Sequence, residues 1–180
     1  MEVDVGKLDA LGIRNLHSVF GRGARGETLA RGCHMVSAVD HLGEAGVSVV
    51  VDLRTADHND KLARKCRDVG LGYKHIPIDA YATSAEDIRH ALPELFAVLD
   101  GEGFYISCQQ GLHRTDIALA LYYFFHDSSI VPEMVGHCMK GRFRCDDIMR
   151  RVNAMRLLFG DIGDADFALR RRRFLDCQHY

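Results

Sequence analysis

The sequence predicts an α/β fold: a single domain with a central, mostly parallel sheet of four to five strands, flanked by helices, and a helix-rich C-terminal half. Three observations lead there. Short runs rich in β-branched and aromatic residues alternate with helical patterns as far as Ser107. Beyond that point the chain reads as helix throughout. Its 180 residues, 47% of them hydrophobic, are enough for one well-formed core and too few for two.

Taken in order, Leu16 to Phe20 reads as a weakly patterned strand. Arg22, Arg25 and Arg31, set among glycines, read as a flexible loop near the sheet edge that would help gather anionic substrates. Met35 to Glu44 carries Val36, Val39 and Leu42 at helical spacing. Val47-Ser48-Val49-Val50-Val51-Asp52-Leu53 is a strand. Asp60 to Val69 is a helix closed by Gly70 and Gly72, and Tyr73 to Ile78 is the next strand. Ser84-x-x-Asp87 has the pattern of a capping box ahead of Ile88, Leu92, Leu95 and Val98, with Pro93 kinking or restarting that helix. Phe104 to Ser107 is the last strand. Helices are expected over Asp116–Phe125, from Pro132 through Met139, over Asp146–Phe159 and over Asp164–Asp176. No repeat or low-complexity linker divides the chain, so residues 1–180 are expected to form one domain, ending on a basic helix over 161–180.

The bulk composition excludes several classes of function. Lys plus Arg number 23 against 25 Asp plus Glu, a net charge of -2, so no global basic field points to nucleic acid. No apolar run approaches the roughly 18 residues that a membrane span requires. The N-terminal MEVDVGKLDA has neither the basic start nor the apolar stretch of a secretory signal, so a cytoplasmic, reducing location is expected. There Cys33, Cys66, Cys108, Cys138, Cys145 and Cys177 would be free thiols. His137, Cys138, Cys145, Cys177 and His179 lie in the last quarter, but without C-x2-C or C-x4-C spacing, so no zinc site is expected.

The stretch that carries chemistry is Ser107-Cys108-Gln109-Gln110-Gly111-Leu112-His113-Arg114-Thr115, set where an apolar strand ends and an apolar helix begins. A short loop containing glycine can curl so that successive backbone N–H groups point at one centre. The helix that follows adds its partial positive charge at the same spot. Arg114 offers a planar fork matched to two phosphate oxygens. Cys108 stands at the floor of this cradle, where a thiolate would be stabilised: a free thiol ionises near about 8.5, and helix N-termini and cations lower that value. Thr115 would offer its hydroxyl to the sulfur.

These residues resemble the cysteine-dependent protein tyrosine phosphatase superfamily, whose signature is C-x2-G-x2-R-[ST], matched by Cys108, Gly111, Arg114 and Thr115. The chain looks most like the compact bacterial dual-specificity phosphatases. Leu53-Arg54 ends an early strand as theirs does, Ile76-Pro77-Ile78-Asp79 follows the next, and Glu133-Met134 lies in the helix after the signature helix. The resemblance extends over residues 14–160. Ser107 stands where histidine is usual, and Asp116 where glycine is common.

The resemblance implies a two-step displacement. Cys108 attacks phosphorus, and Arg114 with the N–H groups of Gln109, Gln110, Gly111, Leu112, His113 and Arg114 holds the equatorial oxygens. An aspartate on an upstream loop protonates the leaving group, then acts as base for water. Asp79 fits that place, with Glu86 and Asp87 as alternatives that also suit the first turn of a helix. No metal or other cofactor is called for, because the cradle and Arg114 neutralise the charge. The expected substrates are a phosphorylated protein or a small phosphomonoester. Only His113 within the loop could favour an inositol phosphate. A phospho-binding pseudophosphatase and a rhodanese-like sulfurtransferase are the competing readings. Arg170-Arg171-Arg172-Arg173 reads as a solvated helix face or a dock for an acidic partner.

Overall fold

A computed structural model describes residues 3–13, 16–20, 28–33, 36–55, 60–79, 90–101, 103–111, 113–126 and 163–176, and elements are numbered over these in chain order. Strands β1 (His17–Phe20), β2 (Thr28–Cys33), β3 (Val49–Asp52), β4 (Gly72–His75) and β5 (Phe104–Cys108) form one sheet in the order β1-β2-β5-β3-β4. The last four run parallel, and β1 pairs antiparallel with β2. The helices are α1 (Val5–Asp9), α2 (Val39–Leu42, entered through a 3-10 turn at Val36–Ala38), α3 (Asp60–Asp68), α4 (Leu92–Leu99), α5 (His113–His126) and α6 (Asp164–Asp176). The fold is thus the α/β class that the sequence predicts, with five strands in a mostly parallel sheet.

β5 lies at the centre of the sheet and is buried along its whole length, as an apolar strand covered on both faces should be. α4 buries Leu92, Leu95, Phe96 and Leu99, one face at helical spacing. α5 packs on β5, α4 and α6, which explains its apolar composition: Ile117, Ala118, Leu119, Leu121, Tyr122, Phe124 and Phe125 are all buried. Tyr122 keeps its hydroxyl satisfied by donating to Asp100 Oδ1 at 2.9 Å, while its ring meets Phe96 edge-on at 5.6 Å. The start of β5 is joined to the start of β3 through Gly103, whose carbonyl accepts from Ser48 N at 2.6 Å. Gly103 has φ +68, and a Cβ there would lie 2.8 Å from Ser48 Oγ, so only glycine fits.

Several expectations need correcting. The segment around Arg31 is not an edge loop: Thr28–Cys33 is β2, hydrogen-bonded to β1 on one side and β5 on the other. Its Ala, Arg and Gly give little local strand preference, and pairing on both edges overrides that. Arg22 and Arg25 lie outside the described residues. α1 is a helix that no periodicity marks, started by Asp4, whose side chain accepts from Lys7 N at 3.1 Å. β4 ends at His75 rather than Ile78: Ile76 N still donates to Asp52 O, but Ile78 N donates to Leu53 O, one residue short of the regular parallel register. Of the two outcomes expected at Pro93 the helix start is the one found: His90 and Ala91 are a turn, and α4 begins at Leu92 with Pro93 in its first turn. The capping-box segment and the helices read over 132–139 and 146–159 lie outside the described residues.

One member of the basic run is also corrected, the side chains of Arg171 and Arg173 lying outside the described residues. Arg170 is not a solvated cation open to an acidic partner. Its Nη1 donates to the carbonyls of Phe124 (3.0 Å) and Phe125 (2.9 Å), and its Nε and Nη2 donate to Asp166 at 3.1 and 2.9 Å. It thereby ties α6 to the C-terminal end of α5, where a cation suits the helix dipole. Arg172 is exposed. Among the described residues no helix is long and apolar enough to cross a membrane.

Candidate active site

Cys108 is the last residue of the central strand, 3% exposed and a free thiol. Gln109 and Gln110 follow as exposed bend residues, and α5 begins at His113. Gly111 has φ +67, a left-handed conformation that a side chain would resist by about 1–2 kcal/mol. That residue turns the chain from strand into helix within four positions. The strand-loop-helix order expected from the motif is therefore present. Leu112 and the side chain of His113 lie outside the described residues.

Arg114 and Thr115 occupy the first turn of α5, beside the loop. Thr115 is completely buried, and among the described residues its Oγ1 has no hydrogen-bond partner, the Cys108 sulfur included. Arg114 Nε is likewise buried without a hydrogen-bond partner. Most buried polar atoms in proteins are satisfied, and an unmet one costs about 1–3 kcal/mol. Two such atoms in adjacent residues, at a helix N-terminus beside a thiol, are donors that the protein itself does not use. The group they suit is an oxyanion.

The residues around the loop are firmly held. Ser107 is buried, and its Oγ donates to Val51 O at 3.5 Å, so the residue that replaces the usual histidine bonds to β3. Beyond β3 the chain forms a buried polar cluster that the sequence reading missed. The Asp52 carboxylate, fully buried, accepts from Arg54 N (3.1 Å), Arg54 Nε (2.9 Å), Arg54 Nη2 (2.7 Å) and Tyr73 Oη (3.1 Å). His75 Nε2 donates to Arg54 O at 2.8 Å, since a carbonyl can only accept. Burial, and after it the Asp52 charge, raises the Cys66 thiol to about 11. The same two causes raise the Tyr73 hydroxyl well above its ordinary value. The sequence signal for the cluster was an aspartate inside a valine run with an arginine two residues on.

Asp79 is exposed and follows the extended stretch beyond β4, where Ile76 N donates to Asp52 O (2.9 Å) and Ile78 N to Leu53 O (3.1 Å). It stands at the same, C-terminal edge of the sheet as Cys108, with β3 between their strands. Two strand spacings separate those strands, about 10 Å. Glu86, Asp87, Cys138 and Cys145 lie outside the described residues. Cys33 is the register partner of Cys108 across β2 and β5. Among the described residues no three His, Cys, Asp or Glu side chains group together as metal ligands would.

Residues 16–128, from β1 through α5, match the family described as Tc-R-P, polymorphic toxin system, DSP-PTPase phosphatase. The chain belongs to this family. It is a compact, dual-specificity-like member of the cysteine-dependent tyrosine phosphatase superfamily, and the matched stretch includes the whole sheet and the Cys108 loop. No curated protein matches it in sequence. Solved structures of the same fold include a putative phosphatase (DUF442) from Shewanella putrefaciens, 18% identical, with a TM-score of 0.61 over 82% of this chain and 95% of that one. The core catalytic domain of the PP-IP phosphatase SIW14 from S. cerevisiae is 13% identical, with a TM-score of 0.61 over 86% and 93%. Kinase associated phosphatase, with serine substituted for its catalytic site cysteine, is 15% identical, with a TM-score of 0.59 over 81% and 97%. At these identities the likeness of the chain to the solved structures is one of fold.

Proposed function

We propose that the protein hydrolyses phosphomonoesters through a phosphocysteine formed on Cys108, acting on phosphotyrosine or as a dual-specificity protein phosphatase, with residues 1–180 as one phosphatase domain. The observation that carries the reading is the pair of unpartnered buried donors, Arg114 Nε and Thr115 Oγ1, in the first turn of the helix that follows Cys108. In the first step the Cys108 sulfur bonds to phosphorus as the ester P–O bond breaks. Arg114 and the loop N–H groups from Gln109 to Arg114 receive the equatorial oxygens. Asp79 gives its proton to the leaving oxygen. In the second step it takes a proton from water, which attacks phosphorus and releases the sulfur, with Thr115 donating to the departing thiolate. A spacing of about 10 Å between the two strands leaves room for a phosphoryl group within hydrogen-bond reach of both groups.

The loop between Cys108 and Arg114 holds no Lys or Arg, which supports phosphoprotein substrates over multiply charged inositol phosphates. The family's setting in polymorphic toxin systems supports action on phosphoproteins of a target cell, in the reducing cytoplasm where a thiol nucleophile stays free. The test is hydrolysis of p-nitrophenyl phosphate by wild type, Cys108→Ser and Asp79→Asn, followed by phosphotyrosyl, phosphoseryl and inositol phosphate substrates. Wild-type turnover lost in Cys108→Ser is expected. Equal activity in the two would end the phosphocysteine reading. An inert wild type that still binds phosphate would make the chain a binding module, and sulfur transfer from thiosulfate to cyanide would make it a sulfurtransferase.

A further inference from the structure

Leu53 is bonded to both halves of the proposed machinery. Its N–H donates to Ser107 O at 2.9 Å, and its carbonyl accepts from Ile78 N at 3.1 Å. Ser107 directly precedes Cys108, and Ile78 directly precedes Asp79. The nucleophile and the proposed acid therefore each stand one residue away from a hydrogen bond to the same residue. Neighbouring bonds strengthen the acid side: Ile76 N donates to Asp52 O at 2.9 Å, and His75 Nε2 to Arg54 O at 2.8 Å.

Leu53 lies just past the end of β3: its N–H bond to Ser107 O continues the alternation with β5 that Val49 N to Gly103 O begins, while the bond from Ile78 N to its carbonyl leaves the regular register with β4. On that side Asp52 and Arg54 fix the peptide. The Arg54 backbone N–H turns back onto Asp52 Oδ1 (3.1 Å), while its Nε and Nη2 hold the same carboxylate (2.9 and 2.7 Å). Tyr73, from β4, adds a bond to Oδ2 at 3.1 Å. This chelate closes around the peptide of Leu53. A buried ion pair adds little to stability over an apolar pair of the same volume, because desolvation offsets the attraction. What this pair supplies that an apolar pair would not is a single backbone geometry.

We infer that Arg54 is a positioning residue for catalysis: by clamping Asp52 it sets the Leu53 bridge, and through that bridge the separation between Cys108 and Asp79. The inference rests on Asp79 being the acid. Its signature is selective. In the first step the S–P bond forms, the P–O bond breaks and the Asp79 proton goes to the leaving oxygen. A phenolate leaving group depends on that proton far more than p-nitrophenolate does. Displacing the acid without touching the cradle should slow phenyl phosphate and spare p-nitrophenyl phosphate.

The experiment compares kcat/KM for the two esters, with pH–rate profiles, in the full chain carrying Asp52→Leu with Arg54→Met. This pair keeps the volume and removes both charges of the ion pair together. We expect a loss on phenyl phosphate about tenfold greater than on p-nitrophenyl phosphate, a flattened pH limb for the acid, and no further selective loss when Asp79→Asn is added. Equal losses on both esters, no loss, or a selective loss that multiplies with that of Asp79→Asn would overturn the inference. If Asp79→Asn alone is selective and the double variant is not, only the positioning role fails. If Asp79→Asn shows no selectivity, the acid assignment falls and the positioning role with it. Should the double variant not fold, Arg54→Lys, which keeps the charge but loses the fork, and Tyr73→Phe are judged by the same ratio.

Discussion

Replacing Arg170 by methionine should loosen the end of the signature helix. The Arg170 side chain is 15% exposed and donates to two carbonyls of the last turn of α5, Phe124 O and Phe125 O. Charge-assisted bonds to such groups contribute about 1–1.5 kcal/mol each in partly buried settings. The bond to Asp166, whose carboxylate is 42% exposed, adds less than about 1 kcal/mol. Methionine keeps the apolar stem of the side chain, so the loss is the polar part, about 2–4 kcal/mol. For a domain of this length that lowers Tm by roughly 5–12 °C. Calorimetry and urea unfolding measure it, with the midpoint falling at constant slope. Arg172→Met, at an exposed position of the same basic run, should cost no more than about 1 kcal/mol. If Arg170→Met melts within about 2 °C of wild type, or if the two variants lose equal stability, the cap is not what Arg170 supplies and general charge is.

Thr115→Val should leave stability unchanged or raise it by up to about 1 kcal/mol, since the buried hydroxyl has no partner to lose, while phosphatase turnover falls at least about tenfold; a destabilised variant with normal turnover would contradict the assigned role. Gly103→Ala combines φ +68 with a 2.8 Å approach to Ser48 Oγ and should cost at least about 2 kcal/mol by urea unfolding. Stability should fall from about pH 9 upward. The Cys66 thiol is raised from 9.0 to about 11 and the Tyr73 hydroxyl is raised too, so in that window the unfolded chain releases protons that the folded chain retains. Cys66→Val should shallow that alkaline slope, and an unchanged slope would locate its origin elsewhere.

What could be read from the sequence is what is local or continuous. Val49–Asp52 and Phe104–Cys108 announce themselves because strands buried on both faces are unbroken apolar runs. The Cys108 loop is legible because the Gly111 turn, the helix start and the Arg114 and Thr115 donors all fall within eight residues. β2 is not legible, because its stability comes from the strands on either side rather than from Thr-Leu-Ala-Arg-Gly-Cys itself. Tyr73 meets Asp52 only through the parallel register of β3 and β4, 21 residues apart in sequence. Arg170 and Arg172 share one run of arginines. What separates them is the end of a helix 45 residues earlier, which one of them reaches.

The sheet order then explains why a strand late in the sequence carries the thiol. Among the described residues β5 is the last strand in sequence, yet it inserts between β2 and β3, so both of its edges are bonded and Cys108 is 3% exposed. Because β2, β5, β3 and β4 are parallel, their C-terminal ends share one edge, where α/β sheets hold ligands. The Cys108 thiol on the inner strand meets the start of α5, and the proposed acid just beyond β4 stands at the same edge. Exchanging β5 and β4 in that order would keep β3 between them but leave Cys108 on an open edge, with one side of its loop in water. The chemistry is therefore a consequence of the crossover as much as of the eight-residue motif. Variants that disturb the β3–β5 junction, such as Gly103→Ala, should lower turnover as well as Tm, even though Gly103 lies at the opposite end of β5 from Cys108.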